Sequence, residues 1–165
     1  MDLIAQVREK ARQQHKHIVL AEGTEKRTIS AAAELTREKI AQITLLGSIE
    51  KIKATAAEQN VDLSGIHLID PEYDIHYQQF AADFCQMRAK KGMTMEKALA
   101  TMKNPLYFGV MMVYQDICQG MVAGAENATG DVLRPALQII KTKPGITTVS
   151  GAFIMITKEK SYGKE

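Results

Sequence analysis

Short apolar, β-branched segments alternate with longer segments of helical periodicity along this chain. Four short segments predict strands, at 17–21, 41–46, 66–69 and 120–124. The periodic segments predict helices, at 3–14, 24–38, 47–59, 75–91, 94–103, 107–116 and 131–141. This alternation is typical of an α/β fold in which helices cover a mostly parallel sheet.

Capping chemistry predicts several of the helix starts. Thr24 and Thr94 carry side-chain oxygens that can accept hydrogen bonds from the first turn of a helix. Proline is tolerated in the first turn, where its missing N–H has no partner to lose. Pro135 therefore predicts a helix with Asp131 as its N-cap and Arg134 in its first turn.

Two further segments, 147–149 and 152–157, are strand-like. The second is a nearly unbroken apolar run, of the kind that is covered on both faces in a folded protein. Residues 158–165 are polar and predict no helix that would cover it. We therefore expect this chain to be the N-terminal part of a longer protein.

Composition excludes several classes of protein. The 165 residues carry 21 Lys and Arg against 19 Asp and Glu, a net charge of +2 with no basic arm, so we expect no nucleic-acid partner. Cys85 and Cys118 provide neither a disulfide framework nor zinc-ligand spacing, so we expect no metal. Without a signal peptide or an apolar run of bilayer length, we expect the cytoplasm and no membrane partner.

The segment 120–135 carries the strongest chemical signal. A predicted strand ends, a loop of small polar residues follows, and a helix begins near Arg134. Helix N-termini at the carboxyl ends of parallel strands bind anions, and arginine can add a bidentate contact to phosphate. The alternative is a plain turn with a solvated Arg134. The dinucleotide fingerprint and the P-loop are both missing, which argues against the common NAD enzymes and NTPases.

Four blocks of sequence resemble successive blocks of the phosphate acetyltransferase, or phosphotransacetylase, family. They are NPLYFGVMMV at 104–113, GMVAGA at 120–125, DVLRPALQIIKTKPG at 131–145 and SGAFIM at 150–155. Their order and spacing match, and the likeness extends from Val19 to the last residue. It implies reversible transfer of acetyl between coenzyme A and inorganic phosphate, by direct attack of the thiolate in a ternary complex.

The resemblance also implies an architecture. Family members are about twice this long and resemble the isocitrate/isopropylmalate dehydrogenase-like fold, a three-layer α/β/α arrangement in a two-domain subunit. Residues 1–145 would then form the first domain, lacking its C-terminal closing segment, and 146–165 the start of the second. A homodimer is expected on the same ground.

Particular residues match the family's site. Arg134, Asn127, Thr129 and Gly130 are expected to contact phosphate or acetyl phosphate, and Arg88 and Arg134 to contact coenzyme A. The family's catalytic aspartate, with its neighbouring serine and arginine, belongs to the C-terminal half, so we expect none of the catalytic residues here and an inactive fragment. Coenzyme A is a substrate, and no cofactor is expected. Alternatives are phosphate butyryltransferase and a non-catalytic acyl-CoA-sensing domain.

Overall fold

The computed structural model describes residues 2–156, which form a parallel sheet surrounded by helices. The strands are β1 His17–Leu20, β2 Gln42–Leu46, β3 His67–Ile69 and β4 Gly120–Val122. The helices are α1 Leu3–Gln14, α2 Lys26–Arg37, α3 Ile49–Glu58, α4 Tyr77–Arg88, α5 Met95–Met102, α6 Pro105–Tyr114 and α7 Thr129–Ile139, with a 3₁₀ turn at Ala89–Lys91. No helix within this range has the length and apolar character needed to cross a membrane.

All strand pairs in the sheet are parallel, in the order β3-β2-β1-β4. Leu20, at the end of β1, is in register with Leu45 of β2 and with Val122 of β4. The carboxyl ends of these three strands therefore meet at one edge of the sheet. The turns that follow β1 and β4 are brought together there.

The sheet separates two apolar cores. On one face, Val19 and Leu46 pack with buried residues of α4, α5, α6 and α7. On the other, Ile43 and Leu45 pack with buried residues of α2 and α3. Alternate strand residues point to opposite faces, and helices cover both, so the predicted three-layer α/β/α arrangement is confirmed.

Helix α6 approaches the sheet at Gly109. A Cβ added there would lie 2.7 Å from the Met121 sulfur, 3.1 Å from Leu46 Cδ1 and 3.3 Å from Val19 Cγ1. These side chains belong to three different strands, so α6 crosses the sheet in direct contact with it. A side chain at this position would push the helix away.

Three predicted helix boundaries are wrong. Glu25 caps α2 in place of Thr24, because its carboxylate accepts a hydrogen bond of 2.9 Å from the Thr28 N–H. The apolar helix predicted from 107 begins at Pro105, where the Asn104 side chain accepts from the Leu106 N–H at 2.8 Å. The helix predicted over 75–91 is regular only over 77–88 before the 3₁₀ turn.

The start of α7 also differs from the prediction. Ala128 is its N-cap, Asp131 is its third residue, and Arg134 and Pro135 lie in the second turn. Pro135 is buried there. The missing Pro135 N–H removes one helical hydrogen bond to the Asp131 carbonyl. Burial of the Pro135 ring favours its position inside the helix. The sequence prediction placed the proline in the first turn because it did not take this burial into account.

The strand predicted at 147–149 is absent, and so is the part of the strand predicted at 152–157 that falls within the described residues. A strand needs a neighbour to satisfy its N–H and C=O groups, and neither segment joins the four-stranded sheet. Phe153, Ile154 and Met155 are 96, 82 and 80% exposed. Residue 157 and the polar segment 158–165 lie outside the described residues.

Candidate functional site

Two turns meet at the carboxyl ends of β1 and β4. The Ala21 N–H donates to the Val122 carbonyl at 3.3 Å, which continues the pairing of the two strands. Two residues further along, the Gly23 N–H donates to the Leu46 carbonyl of β2 at 2.9 Å. Glu22 is therefore held between the ends of β4 and β2.

The Glu22 carboxylate is buried, with 6% of the residue exposed, and accepts five hydrogen bonds. Its Oε2 accepts from the N–H groups of Gly124 and Ala125 at 2.8 and 2.7 Å. Its Oε1 accepts from the N–H groups of Glu126 and Asn127 at 3.0 and 2.7 Å, and from the Asn127 side chain at 2.8 Å. The Glu22 side chain, in the turn after β1, thus binds residues 124–127 of the loop after β4.

These hydrogen bonds determine the charge of Glu22. Burial alone would raise the pKa of the carboxyl group, but the Asn127 side chain and the N–H groups of the loop favour the ionised form and lower this pKa to about 2. Glu22 is therefore a carboxylate at neutral pH. Because donors already surround it, it is a weak base and a stable negative charge.

Arg27, in the first turn of α2, also contacts this loop. Its guanidinium donates to the Ala125 carbonyl at 2.7 Å and to the Glu25 carboxylate at 2.8 Å. The loop is therefore attached through its N–H groups to Glu22 and through a carbonyl to Arg27.

Three of the residues expected to contact phosphate lie just after this loop. Thr129 and Gly130 are exposed and are the first residues of α7, where helical N–H groups have no partner within the helix. The Arg134 side chain is 61% exposed and lies 3.3 Å from the Asp131 carboxylate. An exposed pair of this kind is weak, so the guanidinium remains available to an anion.

Asn127 is partly buried and Arg88 lies elsewhere in the fold. The Asn127 amide joins the Glu22 cluster, immediately before the exposed N-terminus of α7. Arg88 is the last residue of α4, and its buried Nε has no hydrogen-bond partner among residues 2–156. The structure thus groups four of the predicted site residues at one junction and places Arg88 on a different element.

A small cavity of about 140 Å³ opens at the same edge of the sheet. Its lining includes Glu22, Thr24, Gly47, Asn104 and Asn127. A larger groove of about 610 Å³ lies on α2 and the loop after α3. The smaller cavity lies at the carboxyl ends of the strands, where ligands of open α/β sheets bind, and Asn127 is the one predicted site residue in its lining.

Neither cysteine serves as a nucleophile in this geometry. Burial raises the pKa of Cys118 to about 11, so its thiol is protonated at neutral pH. Cys85 is partly buried, and its thiol lies 3.7 Å from the Met93 carbonyl. Within residues 2–156, His, Cys, Asp and Glu side chains form no group of three suited to a metal ion.

Comparison with known proteins decides the family. The sequence profile of the phosphate acetyl/butaryl transferase family matches residues 2–163. The chain belongs to this family. The likeness to phosphate acetyltransferases seen in the sequence blocks is thereby confirmed.

Curated relatives of the chain are named phosphate acetyltransferases. The chain is 46% identical over its full length to the phosphate acetyltransferase of Clostridium acetobutylicum, and covers 50% of that protein. It is 43% identical to the phosphate acetyltransferase of Thermoanaerobacterium thermosaccharolyticum over 99% of its length, covering 49% of that relative. The chain therefore spans about half the length of the curated relatives it matches.

Solved structures share the fold. The EutD phosphotransacetylase from Staphylococcus aureus superposes with a TM-score of 0.86 at 36% identity, over 95% of this chain and 48% of that one. A phosphotransacetylase from Streptococcus pyogenes superposes with a TM-score of 0.83 at 34% identity, over 90% of this chain and 46% of that one. The α/β class is confirmed by both.

Sequence reasoning missed the roles of Glu22 and Arg27. Glu22 follows the apolar segment 18–21 directly, in the turn after a buried strand. An acidic residue at the end of a buried strand is a signal for a specific partner, because an unpaired charge is costly to bury. The identity of that partner depends on a contact across 102 to 105 residues.

Proposed function

We propose that the full-length protein transfers acetyl between coenzyme A and inorganic phosphate, and that this chain forms one wall of its active site. The observation that carries the proposal is the junction at the carboxyl ends of the strands, where the exposed Thr129, Gly130 and Arg134 follow the partly buried Asn127. Membership of the phosphate acetyl/butaryl transferase family supports the proposal.

The electrostatics of the junction favour a phosphate group. The N-terminus of α7 carries a partial positive charge of roughly half a unit, and Arg134 adds a full one. Three negative charges lie nearby, on Glu22, on Asp131 and on Glu126, whose side chain is exposed so that solvent screens its charge. The Glu22 charge is compensated by five donors, and the Asp131 carboxylate lies against Arg134. The net field at the exposed N–H groups is therefore suited to an anion.

In the proposed reaction the coenzyme A thiolate attacks the carbonyl carbon of acetyl phosphate. The new C–S bond forms as the C–O bond to phosphate breaks, and the phosphate leaves with the electron pair. A thiol of ordinary pKa, about 8.5, needs a base to ionise fully at neutral pH. Glu22 is unsuited to that task because its pKa is about 2. Our proposal places the catalytic aspartate in the remaining half of the protein.

The roles of this chain are then binding and orientation. Arg134, with the Thr129 hydroxyl and the first N–H groups of α7, would hold the phosphoryl oxygens and stabilise their charge as the bond breaks. Arg88 would contact coenzyme A from α4. The cavity of 140 Å³ is smaller than the pockets that enclose drug-sized ligands, so coenzyme A would lie along the surface.

The test is formation of acetyl-CoA by the full-length protein. Acetyl phosphate and coenzyme A are mixed, and the thioester is followed by its absorbance. We expect turnover by the full-length protein and none by the 165-residue chain alone. A rate for the full-length protein equal to the uncatalysed background would refute the proposal.

Acyl preference and assembly belong to the same proposal. The family description covers acetyl and butyryl transfer, whereas the curated relatives are named phosphate acetyltransferases, so we expect acetyl phosphate to be preferred over butyryl phosphate. Parallel kinetics with the two substrates measure this preference. We also propose a homodimer, which sedimentation of the full-length protein would test, and a cytoplasmic location, which fractionation of cells would test.

A further inference from the structure

We propose that Glu22 is a positioning residue whose carboxylate occupies the concave loop of Gly124 to Asn127 and holds the phosphate-binding start of α7 in place. This inference deepens the proposed function and rests on it. It assigns a role in substrate binding to a residue that touches no substrate.

The loop itself has the geometry of an anion-binding nest. Four consecutive N–H groups, from Gly124 to Asn127, converge on one carboxylate. Gly124 has φ of 108°, in the left-handed region that such concave turns require. Because Glu22 fills this nest, a substrate phosphate is excluded from it. In our proposal the phosphate therefore binds at the start of α7, at Thr129, Gly130 and Arg134.

The backbone around Glu22 is fixed on both sides. A Cβ at Gly23 would lie 2.6 Å from the Leu46 carbonyl oxygen, so the chain there fits closely against β2. Ala21 is hydrogen-bonded to Val122 at the end of β4. The Glu22 carbonyl accepts from the Glu25 N–H at 3.1 Å. The backbone of Glu22 is therefore held at the edge of the sheet. The hydrogen bonds of its side chain restrict movement of the loop.

The connection from Glu22 to α7 is short. Asn127 donates to Glu22 through both its main chain and its side chain, and the next residue, Ala128, is the N-cap of α7. A displaced loop would therefore move Thr129 and Arg134 with it. Small displacements of groups that orient a substrate cost a large part of the rate.

Two substitutions test this role in the full-length enzyme. Glu22→Gln replaces one oxygen by an NH₂ group that faces N–H donors, and Glu22→Ala leaves the nest without its carboxylate. We expect the KM for acetyl phosphate to rise roughly tenfold or more, and the KM for coenzyme A to rise less, because Arg88 on α4 would still contact coenzyme A. A loss of folded protein alone would lower kcat and leave both KM values unchanged, and that result would overturn the proposal.

Chemical rescue provides a second kinetic arm. Formate is small enough to stand in for the missing carboxylate of Glu22→Ala, whereas formamide has a similar size and no charge. We expect formate, and not formamide, to restore acetyl phosphate binding. Equal effects of the two compounds would contradict a carboxylate-filled nest. Glu96→Gln, which removes an exposed carboxylate on α5, is the matched control and should leave all constants unchanged.

Hydrogen exchange separates this proposal from the proposed function. In wild-type protein the N–H groups of 124–127 are bonded to Glu22 and should exchange slowly. We expect faster exchange in a peptide covering this loop in both Glu22 variants, and none of this change in Glu96→Gln. Unchanged exchange would overturn the role of Glu22 even in an active enzyme. An inactive wild-type enzyme with slow exchange would refute the acetyl transfer and leave the loop contact established.

Discussion

Glu22 and Asn127 are joined by two hydrogen bonds, one from the backbone N–H at 2.7 Å and one from the side-chain amide at 2.8 Å. The amide nitrogen carries two hydrogens, and one of them is directed at Glu22. Asn127 therefore links the buried Glu22 carboxylate to the start of α7, the segment that is proposed to bind phosphate.

Arg134→Ala in the full-length protein should lower kcat/KM for acetyl phosphate. A charge-assisted contact to phosphate is worth roughly 1.5–3 kcal/mol, which corresponds to a loss on the order of ten- to a hundredfold. Steady-state kinetics measure it. Arg37→Ala, at an exposed arginine in the last turn of α2, is the matched control. Equal kinetics for the two variants would make Arg134 an ordinary surface residue.

Gly109→Ala should destabilise the fold. The added methyl group would press on Met121, Leu46 and Val19 in a core that has little room to adjust. We expect a loss of about 1–3 kcal/mol in the free energy of unfolding, measured with urea. Gly130→Ala is the control, since a Cβ there meets nothing within 4 Å. That variant should keep its stability or gain up to about 1 kcal/mol.

Thr94→Ala should remove the cap of α5. The Thr94 hydroxyl accepts a hydrogen bond from the Lys97 N–H at 3.3 Å, and loss of an N-cap typically costs about 1 kcal/mol. Ser48→Ala provides a control, because Ser48 occupies the same position in α3 without a side-chain cap bond. Urea midpoints of the two variants should differ. Equal shifts would show that the threonine bond adds no stability.

The contribution of Glu22 to stability should disappear in acid. Its pKa is lowered from 4.5 to about 2 in the folded state, so the stabilisation is fully present above pH 4.5 and is lost as pH falls towards 2. The shift corresponds to a contribution on the order of 3 kcal/mol. Urea unfolding of wild type and Glu22→Gln at pH 7, 4 and 2.5 should give a difference that shrinks with acidity. A difference independent of pH would contradict this linkage.

Elements set by local chemistry were predictable from the sequence. The four strands begin and end within two residues of their predicted bounds, because apolar β-branched runs between turn residues have few other ways to fold. Thr94 caps α5 as predicted, and Gly92, at φ of 74°, ends the preceding helical segment. At these positions the residues that decide the structure are neighbours in sequence.

Features that depend on competing side chains or on distant partners were not predictable in the same way. Glu25 prevails over Thr24 as a cap because its carboxylate reaches both the Thr28 N–H and the Arg27 guanidinium. Asp131 is displaced from the cap position because burial holds Pro135 inside the helix. In the candidate site, the expectation that Asn127, Thr129, Gly130 and Arg134 contact phosphate followed from sequence blocks. Glu22, which organises them, is identified only through a contact more than 100 residues away.

The pairing of β1 with β4 has a consequence for the order of folding. His17 faces Gln42 across β1 and β2, whereas Ile18 faces Gly120, about 100 residues further along the chain. Closing the longer loop costs more entropy, so we expect β1 and β2 to associate first and β4 to join them later. During synthesis, Glu22 leaves the ribosome long before the N–H groups that will surround it. We therefore expect the candidate site to be assembled late in folding, when β4 docks and the exposed Glu22 carboxylate becomes buried.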